Sequence, residues 1–112
     1  PTPRKSPGAR PRNRLWRAHL TAIFPWIEDQ RQNLLMQFRD ALTLSDMHRD
    51  KFRIDDVAEL EVSEIARQLG DLALLPRHEQ VACYALGDIR KDLAHRKPAK
   101  PRDLAKALDV FK

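Results

Sequence analysis

One cysteine, Cys83, in 112 residues rules out an internal disulfide framework and suits a reducing compartment. Set in an apolar run, it reads as a buried, inert thiol. Glycine is nearly as scarce, with three residues, and none belongs to a glycine-rich phosphate loop. No cysteine or histidine cluster has metal-ligand spacing, and no serine or cysteine stands beside a histidine in a known nucleophile signature. A dinucleotide- or ATP-dependent enzyme is therefore not expected, nor is a metal or other cofactor. No apolar run approaches bilayer length, and the arginine-rich beginning lacks the apolar segment of a signal peptide. The expectation is a cytoplasmic protein without a membrane partner. Strand-like alternation and internal repeats are missing too.

What is present, 42% hydrophobic and 33% charged residues, is the balance of one soluble helical domain. The formal charge of +5 is unevenly spread. Residues 1–14 carry five basic residues and no acid. Residues 15–89 carry eight basic against thirteen acidic ones, and residues 90–106 carry seven basic against Asp92 and Asp103. An acidic body thus lies between a basic arm and a basic C-terminal segment, and either basic piece can meet a phosphate backbone or an acidic protein surface. Residues 1–13, with four prolines and no large apolar side chain, read as a flexible arm or linker. Together with the absence of an initiating Met, the arm suggests a C-terminal fragment of a larger protein, with an upstream domain as one partner and residues 14–112 as the folded domain.

Apolar residues recur at helical steps from Arg14 to about Leu44, interrupted by Pro25, which predicts either a kink or two helices. Trp16 and Trp26 are expected to anchor the core. Residues 47–53 read as a polar loop or short turn. Asp55 or Asp56 can cap a helix that turns Val57, Leu60, Ile65 and Leu69 inward and stops at Gly70 in a left-handed position. Pro76 can open a third long helix with Val81, Tyr84, Ala85, Ile89 and Leu93 on one side, ending near His95. Pro101 can start a last helix with Leu104, Leu108 and Phe111 on its buried stripe. The fold class is all-α, an antiparallel bundle of four to five helices.

His19, His48 and His78 have no special neighbours in the chain and read as exposed or satisfied. His95 differs, because Arg90 precedes it by five positions at the basic end of the third helix. On an ideal helix the two lie roughly 140° apart, flanking a face without stacking. The pair suits one chemistry. A histidine can take a proton from a ribose 2′-hydroxyl, while a permanently charged, planar arginine steadies the negative charge that grows on the attacked phosphate. Two copies meeting across a symmetry axis would supply a second histidine as acid and a second arginine as clamp, with no metal needed.

The segment Ile89-Arg-Lys-Asp-Leu-Ala-His-Arg-Lys-Pro98 resembles the motif of the HEPN family of helical domains, in which an arginine, four to six intervening residues and a histidine close a helix. It is similar also to that family's common ending, where Leu-Ala-His precedes a short proline-bearing turn and a final helix. The resemblance implies a HEPN-like bundle that forms a homodimer with its two motifs facing each other. It further implies a metal-independent endoribonuclease of the kind found in toxins and phage-defence effectors, with Arg90 and His95 as the catalytic pair. Lys91, Arg96, Lys97 and Lys100 are then the candidate RNA contacts. Lys91 stands where family members that cleave RNA often carry a small polar residue such as asparagine, and many HEPN domains bind or dimerise without catalysis. A non-catalytic dimerisation or protein-interaction module of a regulatory protein is therefore the alternative. A third reading, a nucleic-acid-binding accessory domain, depends on the arm; without aromatic residues interleaved in the basic segments, specific single-strand binding is not expected.

Overall fold

The computed structural model describes residues 11–111 and contains five α-helices: α1 (Pro11–Phe38), α2 (Asp46–Asp50), α3 (Val62–Asp71), α4 (Arg77–Ala94) and α5 (Pro101–Val110). Two 3₁₀ turns, Arg39–Ala41 and Val57–Glu59, connect them, and no strand occurs among the described residues. The chain is an all-α bundle. Among the described residues no helix is long and apolar enough to cross a membrane. The first helix includes Pro11, Arg12 and Asn13, assigned from sequence to the arm; residues 1–10 lie outside the described residues.

At the centre of the packing is α4, which buries Ala82, Cys83, Ala85, Leu86, Ile89 and Leu93. It runs antiparallel to α3. Near the middle, a Cβ added at Gly87 would stand 2.9 Å from the Cβ of Ser63, so the two helices meet there only because position 87 has no side chain. Nearer the turn, the Gln80 amide fills the space beside Gly70. The pairing with α1 is antiparallel as well: Trp16 Nε1 donates to the Leu93 carbonyl at 2.8 Å, and Phe24 lies against Arg90. Trp16 and Trp26 are both half-buried against the core. Burial has made the Cys83 thiol poorly acidic, with its pKa pushed up to about 12, and the negative charge of Glu79 adds to the effect.

Pro25 neither ends nor splits α1. It lies on the exposed side, as does Thr21, whose carbonyl loses its i+4 partner to the proline; water can take that bond. The helix stops at Phe38, six residues before the boundary expected from the apolar pattern. Residues 47–53 are more ordered than a loop. Ser45 caps α2 by accepting from the His48 N–H, and His48 Nδ1 accepts from the Ser45 N–H at 3.0 Å, a reciprocal capping box with histidine in the place usually held by Glu or Gln.

The expected helix from Asp56 to Gly70 is broken. Asp56 does cap, but what it caps is the 3₁₀ turn, through the Ala58 N–H at 2.9 Å. The chain is then extended at Leu60 and Glu61 before α3 begins. Gly70 is not the left-handed terminator, because it lies inside α3. That role falls to Ala73 (φ 57°), where Leu74 N–H reaches the Leu69 carbonyl at 2.9 Å and Ala73 N–H reaches Gly70 at 3.0 Å, a Schellman pair. On α5 the buried stripe is rotated from the one expected: Ala107 and Asp103 are buried, Leu104 and Phe111 are half-buried, and Leu108 is 49% exposed.

A left-handed alanine is strained by its Cβ, so Ala73→Gly should stabilise the fold by about 0.5–1 kcal/mol after the greater freedom of glycine in the unfolded chain is allowed for. Urea unfolding should show a higher midpoint at unchanged slope. A lower midpoint would contradict the assignment of Ala73 as the strained residue.

Candidate functional site

The C-terminal end of α4 and the turn that follows it carry Arg90, Lys91, His95, Arg96 and Lys97, while Lys100 is the N-cap of α5. The termination of α4 is a second Schellman pair: Lys97 N–H donates to the Asp92 carbonyl at 2.8 Å and Arg96 N–H to Leu93 at 3.1 Å, with Arg96 left-handed at φ 60°. His95 is the C-cap residue. Its imidazole is exposed and takes part in no side-chain hydrogen bond or ion pair among the described residues. Arg96 extends over the Trp16 ring, 5.8 Å from its centroid, so the indole is held at one edge by the helix end and on one face by a cation. Lys91, Lys97 and Lys100 are exposed.

Arg90 has different surroundings. Its Nη1 pairs with Glu61 Oε2 at 3.0 Å, its guanidinium lies 5.5 Å from the Phe24 ring centroid, and its Nε is buried without a partner. The side chain is 34% exposed and lines a cavity of about 360 Å³ between α1 and the entry to α3, together with Glu28, Arg31 and Glu59. His95 does not line that cavity. The expected pair therefore shares one helix end, but the guanidinium is engaged by an acid and an aromatic ring while the imidazole stands in solvent. Within one chain no hydrogen bond joins the two.

Comparison with protein-family models, curated proteins and solved structures returned no match. No group of His, Cys, Asp and Glu side chains is arranged to hold a metal ion among the described residues.

Two arrangements near this site have no signature in the sequence. The first is Arg31, which donates to the Ala58 carbonyl and, at 3.2 Å, to the Leu60 carbonyl, while Glu28 holds its Nε and Nη2 at 3.1 and 3.0 Å. The guanidinium joins α1 to the non-helical stretch just before Glu61, and so fixes the acid that holds Arg90. The second is His48, whose Nε2 lies 3.4 Å from Glu64 Oε2. Glu64 is also hydrogen-bonded by Arg67 and by Gln68, which returns to the backbone of Thr43 at both its N–H and carbonyl. These contacts tie α2 and the preceding loop to α3. The pairs Glu28–Arg31 and Glu64–Arg67 have helical spacing, but the links from Arg31 to Ala58 and Leu60, from His48 to Glu64 and from Gln68 to Thr43 join residues far apart in the chain and do not follow from it.

Hydrogen bonds from Arg31, reinforced by the charges of Arg31 and Arg90, hold the Glu28 carboxyl below its ordinary value of 4.5, against the opposing effect of burial. Arg67 does the same for Glu64, helped by Gln68 and His48. Because both folded values are depressed, the stability these carboxylates contribute is fully present above the unfolded value and is lost as pH falls through the folded values. Unfolding free energy should be nearly flat from pH 7 to 5 and decline below about 4.5. Arg31→Ala leaves two carbonyls and Glu28 without their partner and should cost on the order of 2–3 kcal/mol at pH 7, with a shallower acid decline. Urea titrations at several pH values measure both. A wild-type-like stability for the variant would remove Arg31 from its bracing role.

Proposed function

We propose that the chain is a HEPN-like module that acts on RNA as a metal-independent endoribonuclease, with Arg90 and His95 as its catalytic pair in a site completed by a second copy of the chain. The observation that carries this reading is the exposed imidazole of His95 at the C-cap of α4, five residues beyond a partly exposed guanidinium and close in sequence to Lys91, Arg96 and Lys97. In this reading His95 removes the ribose 2′-hydroxyl proton and the 2′-oxygen attacks phosphorus. The bond to the 5′-oxygen then breaks, the leaving oxygen takes its proton from the other copy's histidine, and a 2′,3′-cyclic phosphate remains. Arg90 Nη1 is held by Glu61 and Nε is buried, so Nη2 is what can meet the charge on the attacked phosphate. Lys91, Arg96, Lys97 and Lys100 meet the flanking phosphates. Such an activity belongs in the cytoplasm, where RNA is available and the lone thiol stays reduced. A toxin or phage-defence effector is the setting in which the family resemblance places it.

A second reading is favoured by one contact. The Arg90 guanidinium lies against Phe24 and is ion-paired to Glu61, an arrangement that also suits a residue whose task is to join α1, α3 and α4. In that case the module docks or self-associates without cutting.

Purified protein with EDTA and a mixed-sequence RNA separates the two. The nuclease reading expects cleavage to cyclic-phosphate ends, reduced at least about a hundredfold by His95→Ala or Arg90→Ala. The exposed His95 should leave the melting temperature within a degree or two. Cleavage that survives both substitutions, or no cleavage by a demonstrated dimer, would dismiss the nuclease reading; loss of stability in Arg90→Ala without any cleavage by the parent protein would support the docking module.

A further inference from the structure

Beside the His95 cap, where α4 faces α1 and α5, a pocket of about 510 Å³ is lined by Leu15, His19, Asp92, Lys97, the residues from Pro98 to Pro101, and Leu104. Its walls are mostly apolar, and Asp92 is the one acid among them. The Asp92 side chain is only 13% exposed, and its Oδ2 is buried without a hydrogen bond. The nearest cation, Lys100 Nζ, is 3.6 Å away, beyond hydrogen-bond reach, and sits on a side chain that is more than half exposed and free to swing aside. The Lys100 ion pair offsets part of the cost of enclosing that oxygen, but no donor stands at hydrogen-bond distance from it.

The second polar group is His19. Its Nδ1 accepts the Ala99 N–H at 2.9 Å, so the neutral ring carries its proton on Nε2 and offers a donor there. Once the Lys100 side chain swings off Oδ2, the pocket combines a two-oxygen acceptor with a ring N–H donor, between mostly apolar walls, and has lysines at its rim.

We propose that this pocket binds a guanine base. The two carboxylate oxygens of Asp92 accept the adjacent N1–H and 2-amino groups, Nε2–H of His19 donates to O6, and Leu15, Pro98 and Leu104 flank the ring. Lys97 and Lys100 meet the attached phosphate. Guanine is the one common base with two neighbouring donors on its Watson–Crick edge. Adenine turns the N1 lone pair toward a carboxylate, cytosine has two acceptors beside its amine, and uracil sets its single N–H between two carbonyls. Because Lys97 is two residues from His95, a strand seated here runs past the imidazole. The pocket rests on the RNA reading only for the source of its guanine, and its recognition chemistry applies equally to a free guanine nucleotide.

Calorimetric titration of the intact chain with 5′-GMP, AMP, CMP and UMP tests it without reference to cleavage. GMP should bind at least about tenfold more tightly than the other three. Inosine monophosphate, which lacks the 2-amino group, and 1-methyl-GMP, which lacks N1–H, should each lose about tenfold. These analogues keep the test on the unaltered protein, while Asp92→Asn, checked for helical content, should abolish the preference. An RNA decamer with a single G that binds more tightly than GMP assigns the pocket to a strand, and equal affinity assigns it to a free nucleotide. The proposal is overturned if GMP binds no better than AMP, or if both analogues bind as GMP does. A guanine preference without RNA cleavage would sink the nuclease and leave the pocket standing; cleavage with no guanine preference would do the reverse.

Discussion

The guanidinium of Arg31 takes the carbonyls of Ala58 and Leu60, and the course of the chain from the 3₁₀ turn into α3 depends on that interaction. Those two carbonyls belong to a 3₁₀ turn and the extended residue after it, outside any α-helix and partly sequestered from water, and a backbone acceptor in such a place needs a donor. Arg31 supplies it from the neighbouring helix, and Glu28 on the same helix face fixes the direction of its planar fork. The consequence is felt one residue further on. Glu61 is positioned to hold Arg90 across the junction, so the arginine that drew notice in the sequence takes its orientation from one that did not.

Elements of the fold that rest on local chemistry were legible. The extent of α4, with Pro76 before it and His95 closing it, follows from apolar periodicity and from the prolines beyond its end. Pro101 opens α5 as its geometry requires. Legibility failed where a distant side chain outweighed a local preference. Apolar periodicity runs through Val57, Leu60, Ile65 and Leu69, yet the helix breaks between them because Arg31 satisfies non-helical carbonyls there. Gly70 was the natural left-handed residue, but its missing Cβ serves the close packing of Gln80, and Ala73 takes the strained position instead. The α5 stripe turned out rotated because Ala107, small enough to approach α4, packs in preference to Leu108.

The site shows the same division. Sequence spacing placed Arg90 and His95 at one helix end, and that end is where they are. Spacing could not tell that a carboxylate from the residue before α3 and a ring from α1 would claim the guanidinium, since both are contributed by long-range packing. Nor could it tell that Asp92 and Asp103, ordinary acids within a basic segment, are both nearly enclosed. The pattern of the motif and the burial of its members are separate properties, and only the first is written locally in the chain.

The 28 residues of α1 form a rod on the order of 42 Å long. Its first half grips the tip of α4 through Trp16, and its second half grips the entry of α3 through Arg31. Pro25 sits between these two handholds, at the one place where the helical ladder lacks a rung. Because Arg90 and His95 both belong to α4 and its cap, bending at that joint would shift Trp16 relative to Arg31 and leave the spacing of the motif unchanged. The proline therefore divides the two grips of α1, and the motif they flank keeps the geometry that α4 alone gives it.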